Sequence, residues 1–557
     1  MSLTGQPVII LKEGTQRTRG RDALRNNIQA AKVISEAVKS ALGPKGMDKM
    51  LVDSFGDVII TNDGATILKE IDVQHPGAKF VVDLAKTQDS EVGDGTTSVV
   101  ILAGELLKKA EDLLDQNIHP SIIVEGYRLA REKTLELLNE IATDISEDDK
   151  TILANISKTS MSSKVVNVEE NKLSKLVVDS ILSVKKEVNG KTVADIDDVV
   201  IVKKAGESLD NTELFEGLIL DKEVVHSDMP TSINDAKILV VNTGLELTKT
   251  EFDAKVSIST PEEVQAFKAR EEQMLGNMAN KIIKSGANVV LCQKGIDDKI
   301  QALLAQAGIM AIRRVKKSDI ERLTTSTDAT IVTNLDDIEK EYLGTAKLVE
   351  QRLIAGDEML FITGVPNSKI VTLLIRGGTD FVLDEYERSI HDALCVVRNI
   401  VEDKSIVAGG GAIEHDLARH LISFAEKQDS KIQLAIKAFA DALRVIPRTL
   451  AQNAGLDPIE IEGKMNKKFS EGKTSYGVSH TKGIADMKKA GIMEPSRVKY
   501  QAISSAAEAA IILLRIDDIV SAKDLGGGNG GQMPGGMPQG MPPGMDGMGG
   551  MGGMGGF

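Results

Sequence analysis

The sequence predicts a multidomain protein with mainly α-helical ends and an α/β middle, and three observations carry that reading. At 557 residues the chain is too long for one hydrophobic core, so about two to four domains are expected. Towards both ends, apolar residues recur at steps of three and four, the period of one helical face. After about Asp195 the character changes. Short β-branched runs bounded by turn residues alternate there with helical patterns, as in helices packed on a sheet.

Composition sets the class of molecule. Hydrophobic residues make up 42% and charged residues 27%, ordinary values for a soluble globular chain. Aromatics reach only 3% and tryptophan is absent, so the cores must be aliphatic. The net charge of -15, with no block of lysine and arginine, argues against a nucleic-acid or membrane surface. Cys292 and Cys395 stand far apart in apolar surroundings, which favours buried, inert thiols over a disulfide scaffold or structural zinc. The seven histidines show no metal-ligand spacing. With no signal peptide and no long apolar run, a cytoplasmic location is expected.

In chain order, residues 7–11 form a short β-like run. Leu24, Ile28, Ala31, Ile34, Val38 and Leu42 then describe one face of a helix that Gly43-Pro44 should stop. Residues 50–52 and 58–61 read as two strands of a hairpin. Asn62-Asp63-Gly64 turns the chain into a helix at 65–71, and helices are expected at 78–87, 97–114 and 121–141. Helical patterns continue at 152–164 and 176–184, around a polar stretch that runs from Ser157 to Lys164.

The middle carries expected strands at 199–202, 238–241, 289–291, 310–312 and 330–332, with helices at 296–306 and 318–323. Residues 261–284 form a charged helix with a thin apolar stripe of Val264, Phe267, Met274, Leu275, Met278 and Ile282. Such a helix packs on a sheet by default, or projects and offers its stripe to something else. A strand at 371–375 ends in Arg376-Gly377-Gly378, and the next helix, 384–401, carries Asp392 among apolar neighbours. Helices prefer aspartate near their starts, so that acid is mildly unusual. Residues 406–408 run into Gly409-Gly410-Gly411, mainly helical patterns return through Tyr476-Gly477 and a turn at 491–495, and 512–516 reads as a last β-like run. From Gly526 a low-complexity Gly/Met tail can bury almost no core and is expected to be disordered.

The chain is organised around the stretch E-V-G-D-G-T-T-S-V-V-I-L-A-G-E-L-L, from Glu91 to Leu107. A glycine-rich turn feeding a helix presents free amides and the positive end of the helix dipole, which suits a phosphate. Thr96 or Thr97 is the expected N-cap. Asp94 stands where a carboxylate can hold a magnesium ion carried by that phosphate. A tight turn before an ordinary capped helix explains the same residues. L-G-P-K-G and G-G-G are further turns of this kind, and each alone reads equally well as structural punctuation.

The joint order of the motifs is far more specific than any one of them. L-G-P-K-G, N-D-G-A-T, G-D-G-T-T-S, a mid-helix D-A-L, G-G-G and a late G-I-M-E-P resemble the group II chaperonins, the archaeal thermosomes and their relatives in the eukaryotic cytosol. The resemblance runs from Val8 to about Asp524, and the tail is similar to that of archaeal members. It implies an ATP-hydrolysing, protein-folding ring subunit that encloses unfolded clients under a built-in lid. Residues 1–150 and 404–525 would form an equatorial ATP-binding domain, 151–220 and 369–403 an intermediate hinge domain, and 221–368 an apical substrate-binding domain. A helical protrusion at about 245–285 would serve as the lid, and the tail, 526–557, would lie on the cavity side.

The resemblance also assigns roles. Leu42, Gly43 and Pro44 would contact the nucleotide, with Gly64 and Gly477 as further binding positions. Asp94 would bind magnesium while Gly95, Thr96, Thr97 and Ser98 cradle the phosphates. Gly410 and Glu494 would flank base and ribose, and Lys164 would sense the terminal phosphate. Asp392 would orient the attacking water, helped by Asp63. ATP and Mg2+ are the implied cofactors, with K+ a further candidate. Phe267, Met274 and Met278 are candidates for contact with substrate or a neighbouring protrusion. The implied assembly is a homo- or hetero-oligomeric double ring of eight or nine subunits per ring, including paralogous subunits. Strands at 50–61 and 512–516 would pair between neighbours, which removes exposed edges.

Two other classes fit parts of the sequence. A metabolic ATP-dependent enzyme such as a kinase would use the same acids and glycine turns, but the middle shows no cluster of nucleophile, base and oxyanion donors. A non-hydrolysing scaffold would not need Asp63, Asp94 and Asp392 together.

Overall fold

The computed structural model describes residues 16–52, 56–162, 170–247, 260–366 and 370–521. The β-like run at 7–11, Lys164, part of the expected protrusion and the Gly/Met tail lie outside these residues.

Both ends of the chain build one helical core. Thr96–Asp115 is its centre, with Val99, Val100, Ile101, Leu102, Ala103, Leu106 and Leu107 all buried. A helix this apolar around its circumference must be covered on every side. Arg21–Lys39, Pro76–Val92 and Pro120–Ile141 cover it from the first part of the chain, and Ser430–Leu443 and Ser496–Leu514 from the last. Closest approach occurs at Gly104, where a Cβ would lie 2.3 Å from the Cβ of Ser35. The predicted stripe of the first helix is buried from Leu24 to Val38. The helix itself ends at Lys39, before Gly43, and Gly43 instead turns the chain at φ +84°.

A second core joins Lys150–Met161, Glu170–Val184 and Asp380–Asp403 to a small sheet. In that sheet Val371–Gly377 runs parallel to Val199–Ala205 and antiparallel to Glu213–Phe215. The middle of the chain forms a larger mixed sheet in the order Met310–Ile312, Val289–Cys292, Ser232–Val241, Gly344–Ile354, Asp357–Thr363, Gly217–Leu220. Its two main clusters are aliphatic, as the scarcity of aromatics requires, and a small third one is built on Phe361. Gly344–Ile354 and Asp357–Thr363 were not expected as strands. They pair through a two-residue turn at Ala355 and Gly356, both at positive φ. Gly is an ordinary choice there, but alanine is not, so the turn carries no sequence signal.

The charged helix spans Pro261–Ser285 behind a Thr260/Glu263 capping box. Both readings of its stripe hold, in different halves. Leu275, Ala279 and Ile282 are buried against the sheet, while Val264, Phe267 and Met274 are exposed. Met278 is half-buried in the cluster beneath, so packing claims it rather than a free surface.

The hairpin is present as Lys49–Val52 and Val58–Thr61, with Met50 opposite Ile60. Residues 512–516 are not a strand. Ile512 to Leu514 complete the helix Ser496–Leu514, and the last strand is Asp518–Ser521, paired antiparallel to Gln16–Arg19 within the same chain. The run of isoleucines suggests a strand locally, but Ala502, Ala506, Ala509, Ala510 and Leu513 continue one buried helical face past it.

Candidate functional site

A cleft of about 570 Å³ opens where the end-built core meets the Asp392 helix. Its walls include Leu42-Gly43-Pro44, Asp63, the run from Asp94 to Ser98, Asp392, Gly410 and Glu494. Gly64 and Gly477 do not line it but pack behind its walls. A Cβ on Gly64 would lie 2.5 Å from Thr97 Oγ1, and one on Gly477 would lie 2.8 Å from the carbonyl oxygens of Gly409 and Gly410. Lys164 lies outside the described residues. Phe267, Met274 and Met278 form no part of the walls.

The glycine-rich turn is built as a bare helix start. Gly93 (φ +69°) ends the helix Pro76–Val92 and Gly95 (φ +79°) caps the next one, both left-handed. Neither Thr96 nor Thr97 is the N-cap, contrary to expectation: the cap residue is Gly95 and no side chain caps the turn. Thr96 instead turns its hydroxyl to Asp63 Oδ1, at 3.4 Å. The amides of the first turn therefore face the cleft without a side-chain oxygen from their own cap, an arrangement open to an anion. Asp94 Oδ1 accepts from the Gly95 amide at 2.6 Å, and Gln88 Nε2 donates to the Asp94 carbonyl at 2.8 Å, which fixes the turn.

Asp63 is fixed as firmly. It is the N-cap of Gly64–Glu70, accepting from the Thr66 amide at 2.8 Å and the Thr66 hydroxyl at 2.9 Å. The Asn-Asp-Gly turn thus supplies a cap and a cleft carboxylate with one side chain.

Asp392 is buried on Asp380–Asp403. The helix is clamped to the glycine-rich turn about two turns further on. Arg398 Nη2 donates to the Glu91 carbonyl at 3.1 Å, and Asn399 Nδ2 to the Val92 carbonyl at 2.9 Å. Cys395 lies so close to Gly93 that a Cβ there would meet its Sγ at 2.4 Å. Residues 392, 395 and 399 share one helical face, so the clamp aims Asp392 at the cleft. The Asp392 carboxylate and Cys395 beside it push His391 up to about 10.

On the far wall Glu494 belongs to Met493–Pro495, paired to Ser405–Ala408 with Val407 opposite Glu494. Its carboxylate is held by Lys499 Nζ at 2.6 Å, and the same ammonium binds Glu414 Oε1 at 2.8 Å. Lys499 is buried, and the two carboxylates hold its ammonium charged well above the ordinary lysine range against the cost of that burial. Lys499 lines the cleft, as do Asn155 and Lys158 of Lys150–Met161. The sequence reading missed all three.

The residues fit a magnesium nucleotide. Among the described residues no group of three or more His, Cys, Asp and Glu forms a metal cage. An ion here would rest on a carboxylate such as Asp94 and on phosphate oxygens, which is how magnesium is usually held. Gly43, Gly95 and Gly410 hold the turns at positive φ, where a side chain would be strained, and the bare helix start supplies donors for phosphate.

Residues 34–524 match the model of the TCP-1/cpn60 chaperonin family. The thermosome subunit beta of Archaeoglobus fulgidus is 54% identical over 538 residues, 96% of this chain and 99% of its own length. The thermosome subunit of Pyrococcus horikoshii is 54% identical over 524 residues, 94% and 95% of the two chains. The thermosome subunit alpha of Archaeoglobus fulgidus is 52% identical over 525 residues, 94% and 96%. Among the described residues no helix is long and apolar enough to cross a membrane. With the fold, the cleft and these relatives in agreement, the chain belongs to the TCP-1/cpn60 chaperonin family and is an ATP-dependent chaperonin subunit.

Proposed function

We propose that the cleft binds ATP with magnesium, and K+ as a further ion, and that its hydrolysis drives closure of a cavity around unfolded protein in the cytoplasm. The observation that carries this reading is the convergence of Asp63, Asp94, the bare helix start and Asp392 on one cleft from separate stretches. The amides and hydroxyls of Gly95, Thr96, Thr97 and Ser98 hold the phosphates, while Leu42, Gly43 and Pro44 bound them from the other side. Gly64 and Gly477 shape the walls from behind. Asp94 carries the ion, which when bound neutralises phosphate charge. Asp392 and Asp63 orient the water that attacks the terminal phosphorus, and Asp392 takes up its proton as the bridging oxygen leaves. Lys164 completes the sensing of the terminal phosphate.

Asp392 belongs to a helix that also enters the second core, so a carboxylate required for hydrolysis moves with the connecting region. That supports residues 1–150 with 404–525 as the equatorial domain, 151–220 with 369–403 as the hinge, and 221–368 as the apical domain. Subunits assemble with paralogues into stacked rings of eight or nine. The exposed apolar face of the hairpin, Met50, Val52 and Ile60, suits burial against the neighbour. The strand that meets it is assigned to Asp518–Ser521.

The test is native mass and imaging of the full chain with and without ATP and magnesium, alongside turnover. Chains of 59.8 kDa should form a double ring of about one megadalton that closes with nucleotide. Asp392→Asn should keep the ring and bind nucleotide while turnover falls about a hundredfold. Full turnover in that variant sinks the assignment of Asp392. A monomer that hydrolyses ATP sinks the ring.

A further inference from the structure

Glu414 is a buried carboxylate that the chemistry above does not use. It lies in the first turn of Ala412–Ala425, just past the triple-glycine turn, is 3% exposed, and is no part of the cleft wall. Its Oε1 meets Lys499 Nζ at 2.8 Å, and its Oε2 has no hydrogen-bond partner among the described residues. Lys499 also holds Glu494, at 2.6 Å. One ammonium therefore serves two carboxylates, and only Glu494 and Lys499 reach the cleft.

A buried charge is costly to keep unless it does something for its neighbours. Neutralising Lys499 needs one carboxylate, which Glu494 already provides. The second divides the pull of the ammonium, so Glu494 keeps acceptor strength toward the cleft. Gly409 adds a steric limit on the other side, since a Cβ there would lie 3.0 Å from Glu494 Oε1. Glu494 is thereby held between a shared cation and bare backbone.

We propose that Glu414 is a positioning residue for sugar recognition: by sharing Lys499 it keeps the Glu494 carboxylate seated as an acceptor for a ribose hydroxyl of the nucleotide. This rests on the reading of Glu494 as the ribose-flanking residue. With Glu414 neutralised, the ammonium draws on Glu494 alone, turns it from the cleft and weakens it as an acceptor. The effect falls on binding and on sugar selectivity. The phosphate end, served by Asp63, Asp94 and Asp392, is untouched.

The experiment measures steady-state hydrolysis of ATP, 2′-deoxy-ATP and 3′-deoxy-ATP by the assembled full chain, as wild type, Glu414→Gln and Glu494→Gln. Wild type should prefer ATP over at least one deoxy analogue by about tenfold in kcat/KM, the worth of one hydrogen bond to a charged acceptor. Glu414→Gln should raise KM for ATP about fivefold, with kcat within about twofold, and cut that preference to about twofold. If Glu494→Gln keeps the full preference, or wild type has none, Glu494 does not read the sugar and the underlying assignment fails. If Glu494→Gln loses the preference and Glu414→Gln keeps it, the positioning role alone is overturned. A fall in kcat with KM and preference unchanged also overturns it, as the mark of a merely structural part. Should Glu414→Gln not assemble, Glu414→Asp withdraws the charge by one methylene. It should then show the same KM shift and loss of preference at smaller amplitude, and an unchanged preference counts against the proposal.

Discussion

The cleft region and the middle sheet are built from similar aliphatic stock, yet they treat charge in opposite ways. Between Gly217 and Thr363 no charged side chain among the described residues is buried. The buried polar groups there, Ser285, Gln301, Ser326 and Thr327, are satisfied by nearby carbonyls of Ile282, Ile296, Arg322 and Leu323. In the regions that meet at the cleft, by contrast, Glu385, Asp392, Glu414, His415, Asp416 and Lys499 are all buried, and of these Asp392 and Lys499 line it. Several of their bonds join segments far apart in the chain, such as Lys499 to Glu414 and Thr61 to Glu385. The middle is held by packing, which tolerates local change. The cleft spends desolvation on charges, and an unpaired one is expensive. Buried charge of this kind concentrates where chemistry is done.

The largest effect should follow from breaking the charge network. Lys499→Met leaves Glu414 and Glu494 facing each other without a cation, and should destabilise by about 3–5 kcal/mol in chemical denaturation. Adding Glu414→Gln to that variant should restore part of the loss, because it removes the stranded charge. A cost near zero for Lys499→Met would mean that water reaches the triad and that the contrast between the regions is false.

A somewhat smaller effect should appear with pH. His415 is buried, stacks edge-on against Phe469 at 4.9 Å, and pairs through Nε2 with Asn466 Oδ1 at 3.0 Å. Burial, reinforced by Arg444, pushes it down to about 4. Between its ordinary value near 6.5 and 4, the unfolded chain takes up a proton that the folded chain refuses. Stability from this group is therefore complete above about pH 6.5 and falls as the pH drops toward 4, by up to about 3 kcal/mol. Asp416, raised by its own burial, works in the opposite direction. Comparing the pH dependence of unfolding in wild type and His415→Gln isolates the histidine. Equal slopes over that window would show that His415 charges freely in the folded state.

How much of this was legible beforehand follows from the same contrast. The glycine turns, Asp63 and Asp94 could be read because each is a local device, a turn feeding a helix. Asp392 stood out as an acid in an apolar helix, and its burial bears that out. Glu414 and Lys499 could not be read. Each is an ordinary charged residue in an amphipathic helix until the strand Met493–Pro495 is laid beside Ser405–Ala408. The N-cap was misread for a similar reason: Thr96 has the right chemistry for a cap, but its hydroxyl is drawn to Asp63 in another segment. The β-like run at 512–516 was misread because β propensity is weak against a buried alanine face that continues a helix.

The smallest effect on stability should come from the middle's own exposed stripe, where the comparison can be sharpened within a single helix. Phe267 is 44% and Met274 47% exposed on Pro261–Ser285, whereas Met278 packs partly into the cluster with Leu275 and Ile282. Truncating an exposed side chain removes little that folding had buried, so Phe267→Ala and Met274→Ala should each change stability by no more than about 0.5 kcal/mol. Met278→Ala loses real packing and should cost about 1–2 kcal/mol. Capture of a chemically unfolded client by the assembled protein should show the reverse order, weakened most by the pair Phe267→Ala with Met274→Ala and least by Met278→Ala. Those two rankings separate a side chain kept for the fold from one kept for a partner. If client capture instead followed stability, with Met278→Ala the most impaired, the exposed half of the helix would be mere surface, and clients would be captured elsewhere.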